Sequence, residues 1–185
     1  MKHFISILFL FFSLSLYSET FKAQKGFLDL SEWSFGEKGI LKIEGDFEFY
    51  WNKLLKPEDF LKENRASVQY QFVPSAWNDF EFEGKKAGRD GFATYRLKLH
   101  FPQKYISNLF SIKVPHQATA YNFWINGNLA ASNGKVGETN ETSSPQYSTR
   151  IVNFQIPSDG NLEFVLQLSN YSHRLGGIWS HFILG

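Results

Sequence analysis

The stretch FATYRLKLHF, residues 92–101, alternates strictly in polarity. Phe92, Thr94, Arg96, Lys98 and His100 share one parity, and Ala93, Tyr95, Leu97, Leu99 and Phe101 share the other. Successive side chains of a strand leave opposite faces, so this segment predicts a β-strand with one greasy face; a helix would scatter the same residues around its circumference. The period recurs in GILKIEGDFEFYW (39–51), where Leu41, Ile43, Phe47, Phe49 and Trp51 alternate around Gly45-Asp46, and in SVQYQFV (67–73), which stops at Pro74. NLFSIKV (108–114), TAYNFWI (119–125), RIVNFQI (150–156), GNLEFVLQLSN (160–170) and GIWSHFILG (177–185) complete the set. Only LKPEDFLKEN (55–64) reads as a helix, with Pro57 suited to a first turn, Glu58 and Asp59 favouring its N-terminal end, and Phe60 and Leu61 able to pack. About eight strands, one short helix and no βαβ alternation predict an all-β antiparallel β-sandwich. A parallel sheet needs crossover helices that are missing from this pattern.

The connections carry their own signals. Asn126-Gly127, between TAYNFWI and a second short apolar run, is the dipeptide best suited to a two-residue turn with positive φ at both positions. That requirement accounts for both residues without a ligand, so the hairpin is read as scaffold. The segment that follows, SNGKVGETNETSSPQYST (132–149), is a long Gly, Asn, Ser and Thr loop, and long loops in compact domains are often functional. SAWNDFEFEGKKAGRDG (75–91) is a second polar loop, holding aromatic islands.

The N-terminus bounds the location. Lys2 gives a positive start, Phe4 to Tyr17 form an apolar run of 14 residues, and Ser18 is a small residue before a cut. This is the grammar of a secretory signal peptide over 1–18, too short for an ordinary membrane span, with an uncleaved anchor as the alternative. The expectation is an extracytoplasmic protein, periplasmic or secreted, with a single domain over 19–185. Cysteine is absent, which removes disulfides, thiolate metal sites and a cysteine nucleophile. Subtracting Lys2 from the 19 basic residues leaves 18 against 18 acidic ones. Without a basic stripe, nucleic acid is not an expected partner. Aromatics make up 18% of the chain, a surplus that suits a β-rich core or a surface that stacks on flat ligands.

Three segments, in order, carry a resemblance: FVPSAWN (72–78) followed by GFATYRLKL (91–99), then ATAYNFWINGNLAASNGKVG (118–137), then LEFVLQLSNYSHRLGGIW (162–179) with a closing FILG. Together they resemble the galactose-binding-like jelly roll, the fold of the sugar-binding domain of β-glucuronidase and β-galactosidase relatives. With S-P-Q-Y after the long loop and S-N-Y-x-H-R-x-G-G near the end, the chain is more similar to the extracytoplasmic sensor domain of bacterial seven-transmembrane receptors with diverse intracellular signalling modules. The resemblance implies a ligand-binding, sensor-type domain. Those receptors continue into seven membrane helices and an output domain after the last strand, so a free-standing domain and a truncated relative are both implied.

Candidate ligand-binding residues are Trp77, Asn78, Asn170, His173 and Arg174. Trp77 offers a stacking face for a sugar and Asn78 hydrogen bonds to hydroxyls; the competing reading has Trp77 plug the sandwich mouth and Asn78 cap a turn. Asn170, His173 and Arg174 leave a strand end together, where Arg174 can fork a carboxylate or phosphate beside a protonated His173. The alternative is a tight connection whose side chains satisfy loop backbone, helped by Gly176-Gly177. Arg96, the one arginine on the polar face of its strand, offers a contact for an acidic ligand or a partner for a neighbouring carboxylate, and the pairing is the expectation.

The histidines show no metal-ligand spacing. No cofactor is expected; structural calcium, common in this fold type as far as the resemblance implies, has Asp79, Glu81, Glu83 and Asp90 to draw on. A glycosidase needs two carboxylates across a cleft, and Glu81/Glu83 or Glu138/Glu141 in single loops do not supply that. No G-x-S-x-G, H-E-x-x-H or phosphate loop is present, so no enzyme is expected. The leading expectation is a non-catalytic domain binding a small extracellular ligand such as a carbohydrate, possible in partnership with a membrane receptor portion. An envelope interaction or assembly module, and an accessory sugar-binding domain detached from a glycoside hydrolase, are the alternatives.

Overall fold

The computed structural model describes residues 21–62 and 67–185. The expected signal segment 1–18 lies outside these residues, as does the end of the helical passage 55–64. The strands are β1 (Phe27–Asp29), β2 (Leu41–Ile43), β3 (Gly45–Trp51), β4 (Gln69–Val73), β5 (Glu81–Phe82), β6 (Lys85–Lys86), β7 (Gly91–His100), β8 (Leu109–Val114), β9 (Ala120–Ile125), β10 (Asn128–Asn133), β11 (Arg150–Gln155), β12 (Asn161–Asn170) and β13 (Phe182–Leu184). The large sheet runs β10-β9-β12-β7-β3-β4 and the small one β11-β8-β13-β2. The two form an antiparallel jelly-roll sandwich. Its one parallel strand pair among the described residues is β1 on β7: β3 takes Ala93–Arg96 of that edge and β1 takes Lys98–His100.

Parity decides the core. Ala93, Tyr95, Leu97 and Leu99 of β7 meet Leu162, Phe164, Leu166 and Leu168 of the adjacent β12 on the inner face. Phe110, Ile112 and Val114 of β8, with Phe182 and Leu184 of β13, fill the facing layer. Asn126 and Gly127 close the β9–β10 hairpin at φ 45° and 81°, the double positive φ that Asn-Gly tolerates.

Three sequence expectations change. The run 39–51 is no turn between paired strands: β2 belongs to the small sheet and β3 to the large one, and the chain switches layers at Gly45. A Cβ on Gly45, whose φ is 121°, would lie 2.3 Å from the Ala23 carbonyl oxygen, so backbone of residue 23 fills the space a side chain would need. The helical passage forms only a 3-10 turn, Pro57–Leu61, which buries Pro57 and Phe60. Asp59 caps it by accepting the Lys56 amide at 2.9 Å, and the Lys62 ammonium is the main cause holding the Asp59 carboxyl below its ordinary range. A one-turn α-helix, Phe35–Lys38, and the β5–β6 hairpin inside 75–91 carried no signal that periodicity detects. At the C-terminus, strand forms only over Phe182–Leu184 of the expected 177–185, and residues 177–181 are loop apart from an isolated bridge between Gly177 and Ala118.

The outer face of the large sheet holds a charge cluster. Arg96 is 5% exposed. It donates from Nε to Glu163 at 2.6 Å and from a terminal nitrogen to Glu48 at 3.1 Å, as its isolation on a strand face led us to expect. Its guanidinium stacks 4.5 Å from the Phe60 ring centroid, under the 3-10 turn. Tyr50 donates to Glu48 at 2.7 Å, and burial, then Glu48, pushes its phenol well above the ordinary value. Removing one member of such a group strands the others. Arg96→Ala is therefore expected to lower unfolding free energy by about 3 kcal/mol in denaturant titration. A loss under about 1 kcal/mol would mean that water carries the two carboxylates after all.

Candidate functional site

One end of the sandwich gathers nearly every residue singled out in the sequence. The start of β7, the ends of β8, β10 and β12, and the starts of β9 and β11 lie there. The connections 74–90, 115–119, 134–149 and 171–181 cover it. Trp77 sits at the centre but is fully buried, packed edge-on to Trp51 at 5.1 Å with its indole nitrogen 3.3 Å from the Arg89 carbonyl oxygen. It plugs the mouth and has no free face for a ligand, which corrects the stacking role considered for it. The backbone of 75–77 runs beside 176–178, with Ser75 N–H bonded to Ile178 O at 2.7 Å and Trp77 N–H to Gly176 O at 2.9 Å. Contact is so close that a Cβ on Gly176 would meet the Trp77 indole nitrogen at 2.2 Å, which is what the Gly-Gly pair is for.

Asn78 and Asn170 are turned toward the protein. Asn78 accepts the Gly176 amide at 3.0 Å and donates to the Arg174 carbonyl at 3.0 Å. Asn170, with no exposed surface, donates to the carbonyls of Arg89 and His173, each at 2.8 Å, and accepts the His173 amide at 3.0 Å. Both amides satisfy loop backbone, the alternative weighed from sequence for Asn170; Asn78 does so across the chain at 174–176 and not by capping its own turn. Gln117 escaped the sequence reading and does the same: also fully buried, it accepts the Trp179 amide at 3.1 Å and donates to the Ser180 carbonyl at 3.3 Å. Each amide ties one loop to another, or a strand end to its loop.

Held by these clamps, His173 and Arg174 reach the surface. His173 folds Nδ1 back to 3.0 Å from the Leu175 carbonyl oxygen and lays its ring 5.1 Å from that of Trp179. Trp179 stands 5.7 Å from His116, and His116 stands 6.2 Å from Tyr147. A stepped row of four rings thus crosses the end, drawn from three loops. Arg174 is exposed, with no carboxylate partner for its guanidinium among the described residues.

The long loop is well tied. Lys135 and Ser144 exchange backbone bonds at 2.9 Å, Gly134 N–H reaches the Gln146 side chain at 2.9 Å, and Ser143 and Ser169 hydroxyls meet at 2.9 Å. Tyr171 donates to the Glu138 carbonyl, and its phenol is raised by burial and then by the charges of Asp90, Glu138 and Glu141. Tyr121, buried below, is pushed up to about 12 by desolvation, so it remains a neutral hydroxyl.

Among the described residues no three His, Cys, Asp or Glu side chains come together to hold a metal ion. Of the acids considered for calcium, Asp79 pairs with Lys86 at 2.7 Å and Asp90 with Arg89 at 3.2 Å. Surface hollows of the described residues include one lined by Phe21, Gln24 and Ser31 and another along Asn126–Asn161, both away from this end, and one on the β10–β11 edge whose lining residues Ser132 and Arg150 border it.

No protein-family model matches the chain, and no characterised protein matches it by sequence. Solved structures do resemble it. A β-glucuronidase from an uncultured Clostridium aligns with a TM-score of 0.59 at 13% identity over 78% of this chain and 28% of its own. The β-glucuronidase from Ruminococcus gnavus gives 0.58 at 11% identity over 79% and 29%. A GH2 β-galacturonidase from Eisenbergiella tayi gives 0.54 at 12% identity over 78% and 24%. At such identities the likeness establishes the fold, and the chain spans less than a third of the length of these enzymes.

The clamps make a stability prediction. Asn170→Ala removes the side-chain partner of the His173 amide and carbonyl and leaves the Arg89 carbonyl with the Trp77 indole alone, so a loss of about 2 kcal/mol is expected in denaturant titration, with faster amide exchange at His173. Unchanged exchange at His173 would remove the clamp assignment.

Proposed function

We propose that the chain is an exported, non-catalytic domain that binds carbohydrate through the loops at one end of its sandwich, as the sensing part of a receptor-type system. The observation that carries this reading is the meeting of three half-buried rings, an exposed one, Tyr147, and the Arg174 guanidinium, which has no carboxylate partner among the described residues, at one end stiffened by buried amides. Flat rings stack on the C–H faces of sugars, and a free guanidinium donates to hydroxyl oxygens or, in a fork, to a carboxylate. The structural neighbours named β-glucuronidase and β-galacturonidase handle sugars, which is in keeping with a sugar ligand. In this reading His173 and Arg174 face the ligand, Asn78 and Asn170 position them, and Trp77 closes the floor. The non-catalytic part of the reading is supported by Glu48 and Glu163, the carboxylates that share a centre, both of which grip Arg96 on the outer sheet face. The N-terminal pattern supports export, and the sequence resemblance supports the sensor role.

A shallow site recovers little beyond the freedom lost on binding, so dissociation constants on the order of 0.1 mM are expected. Calorimetry against a panel of soluble oligosaccharides, with Arg174→Ala as comparison, tests this. Selective binding to one sugar class, weakened by the substitution, is the expected result, and indifference to every sugar in the panel would sink it.

A second reading has one observation in its favour. Tyr70 and Phe72 of β4, the edge strand of the large sheet, and Val68 just before it are 40%, 45% and 41% exposed. An apolar stripe on an open edge suits an envelope assembly module. That reading predicts concentration-dependent self-association in light scattering, abolished by Tyr70→Lys with Phe72→Lys. A monomer at every concentration counts against it.

A further inference from the structure

Trp179 is built the wrong way round for a structural tryptophan. A partly exposed indole ordinarily turns its N–H to water and its carbons inward. Here the residue is partly exposed, yet its ring nitrogen is buried and without a hydrogen-bond partner. What Trp179 shows to solvent is therefore ring carbon and backbone. Leaving a buried donor unpaired is unfavourable, and orienting the ring the other way would let water satisfy it. The backbone that carries the ring is held by Gln117, which accepts the Trp179 amide and donates to the Ser180 carbonyl from a fully buried position.

Trp33, at the far end, also has a buried, unpartnered ring nitrogen, and the comparison is instructive. Its ring is covered by Lys38, whose ammonium lies 5.2 Å from the indole and 4.3 Å from the neighbouring Phe21 ring. No cation covers Trp179 among the described residues; its ring neighbours are His116 and His173, and Tyr147, 54% exposed, extends the row beyond His116.

We infer that Trp179 is the central stacking residue of a ledge, continued by His116 and Tyr147 on one side and His173 on the other, that takes successive units of a linear oligosaccharide. The inference rests on the carbohydrate reading above and adds the contact residues and the ligand's shape. Rings spaced 5.1, 5.7 and 6.2 Å apart offer repeated stacking positions, not one enclosed cavity, so the ligand is a chain and not a single sugar. The steps are steep, with 74° between Trp179 and His116 and 70° between His116 and Tyr147. Sugar units that turn relative to one another follow such a surface better than a flat aromatic would.

The test is calorimetry with glucose, galactose, N-acetylglucosamine and glucuronate, each as the monosaccharide and as the β-linked dimer and tetramer. The expected result is affinity that rises at least tenfold from monosaccharide to tetramer in the recognised series. Trp179→Ala should lower tetramer affinity about tenfold and Tyr147→Ala about threefold, the scale of one aromatic contact. Trp179→Phe, which keeps a flat ring, should retain part of the binding, and covers the case in which the alanine variant fails to fold. Wild-type binding that ignores chain length, or that survives in both Trp179→Phe and Tyr147→Ala at full strength, overturns the ledge and leaves sugar binding standing. Wild type that binds no member of the panel overturns both.

Discussion

A loop laid across the open end of a β-sandwich must satisfy its own backbone, because water cannot reach the groups it buries. That constraint organises this domain. Asn78, Gln117 and Asn170 meet it by placing side-chain amides where a neighbouring strand would otherwise supply donors and acceptors. An amide carries both a donor and an acceptor, so one side chain can engage an N–H and a C=O that no regular ladder serves. Each such group left unpaired would cost about 1–3 kcal/mol, enough to release the loop. Trp77 fills the space beneath, and Gly176 has no side chain because the indole already occupies its place.

The same end explains which parts of the site were legible in the sequence. Strand parity located β7, β9 and β12 almost to the residue, since each buries one face and a slip by one position would expose the entire set. Arg96 was readable for the same reason, as a charge opposite an apolar face that needs a partner. The segment 171–176 was recognisable as a polar constellation. Yet the side chains that bind a sugar and those that bind a peptide group are of the same types, and nothing in SNYSHR tells whether Asn170 points outward or inward. Only the register of β12, which runs through to Asn170, fixes it inward.

The two tryptophans show the limit more sharply. Trp77 follows Pro74 and lies in a polar loop, outside any alternating pattern, so parity says nothing about its burial. Trp179 did carry a signal. Counting back from the buried Phe182 and Leu184 places Trp179 on the parity of His181 and Ile183, the face turned from the core. The segment was read as strand throughout, and Trp179 was not singled out in it. Gln117 and His116 had no comparable signal; they gain meaning only because the 115–119 and 177–181 loops lie side by side, joined by the Ala118–Gly177 bridge. The layer switch at Gly45 was hidden likewise, since it depends on residue 23 arriving from elsewhere in the chain.

The two polar systems of the domain also divide its labour. On the outer sheet face, Arg96 is gripped by Glu48 and Glu163 and lies under Phe60, so its positive charge is committed within the fold. At the loop end the side chains that tie the loops together are neutral amides, and the Arg174 guanidinium is left outside without a carboxylate partner among the described residues. Binding that relies on stacking gains most when its rings are already in place, because ordering a free aromatic side chain on association erodes the gain. Rings contributed by separate loops would ordinarily move independently. Here Gln117 fixes the backbone of Trp179 and Asn170 that of His173, so the relative position of those rings is set in the unliganded fold. A sandwich end that contained only Trp77 and its amides would be a lid. The same amides become the footing of a recognition surface because of what they hold in front of them.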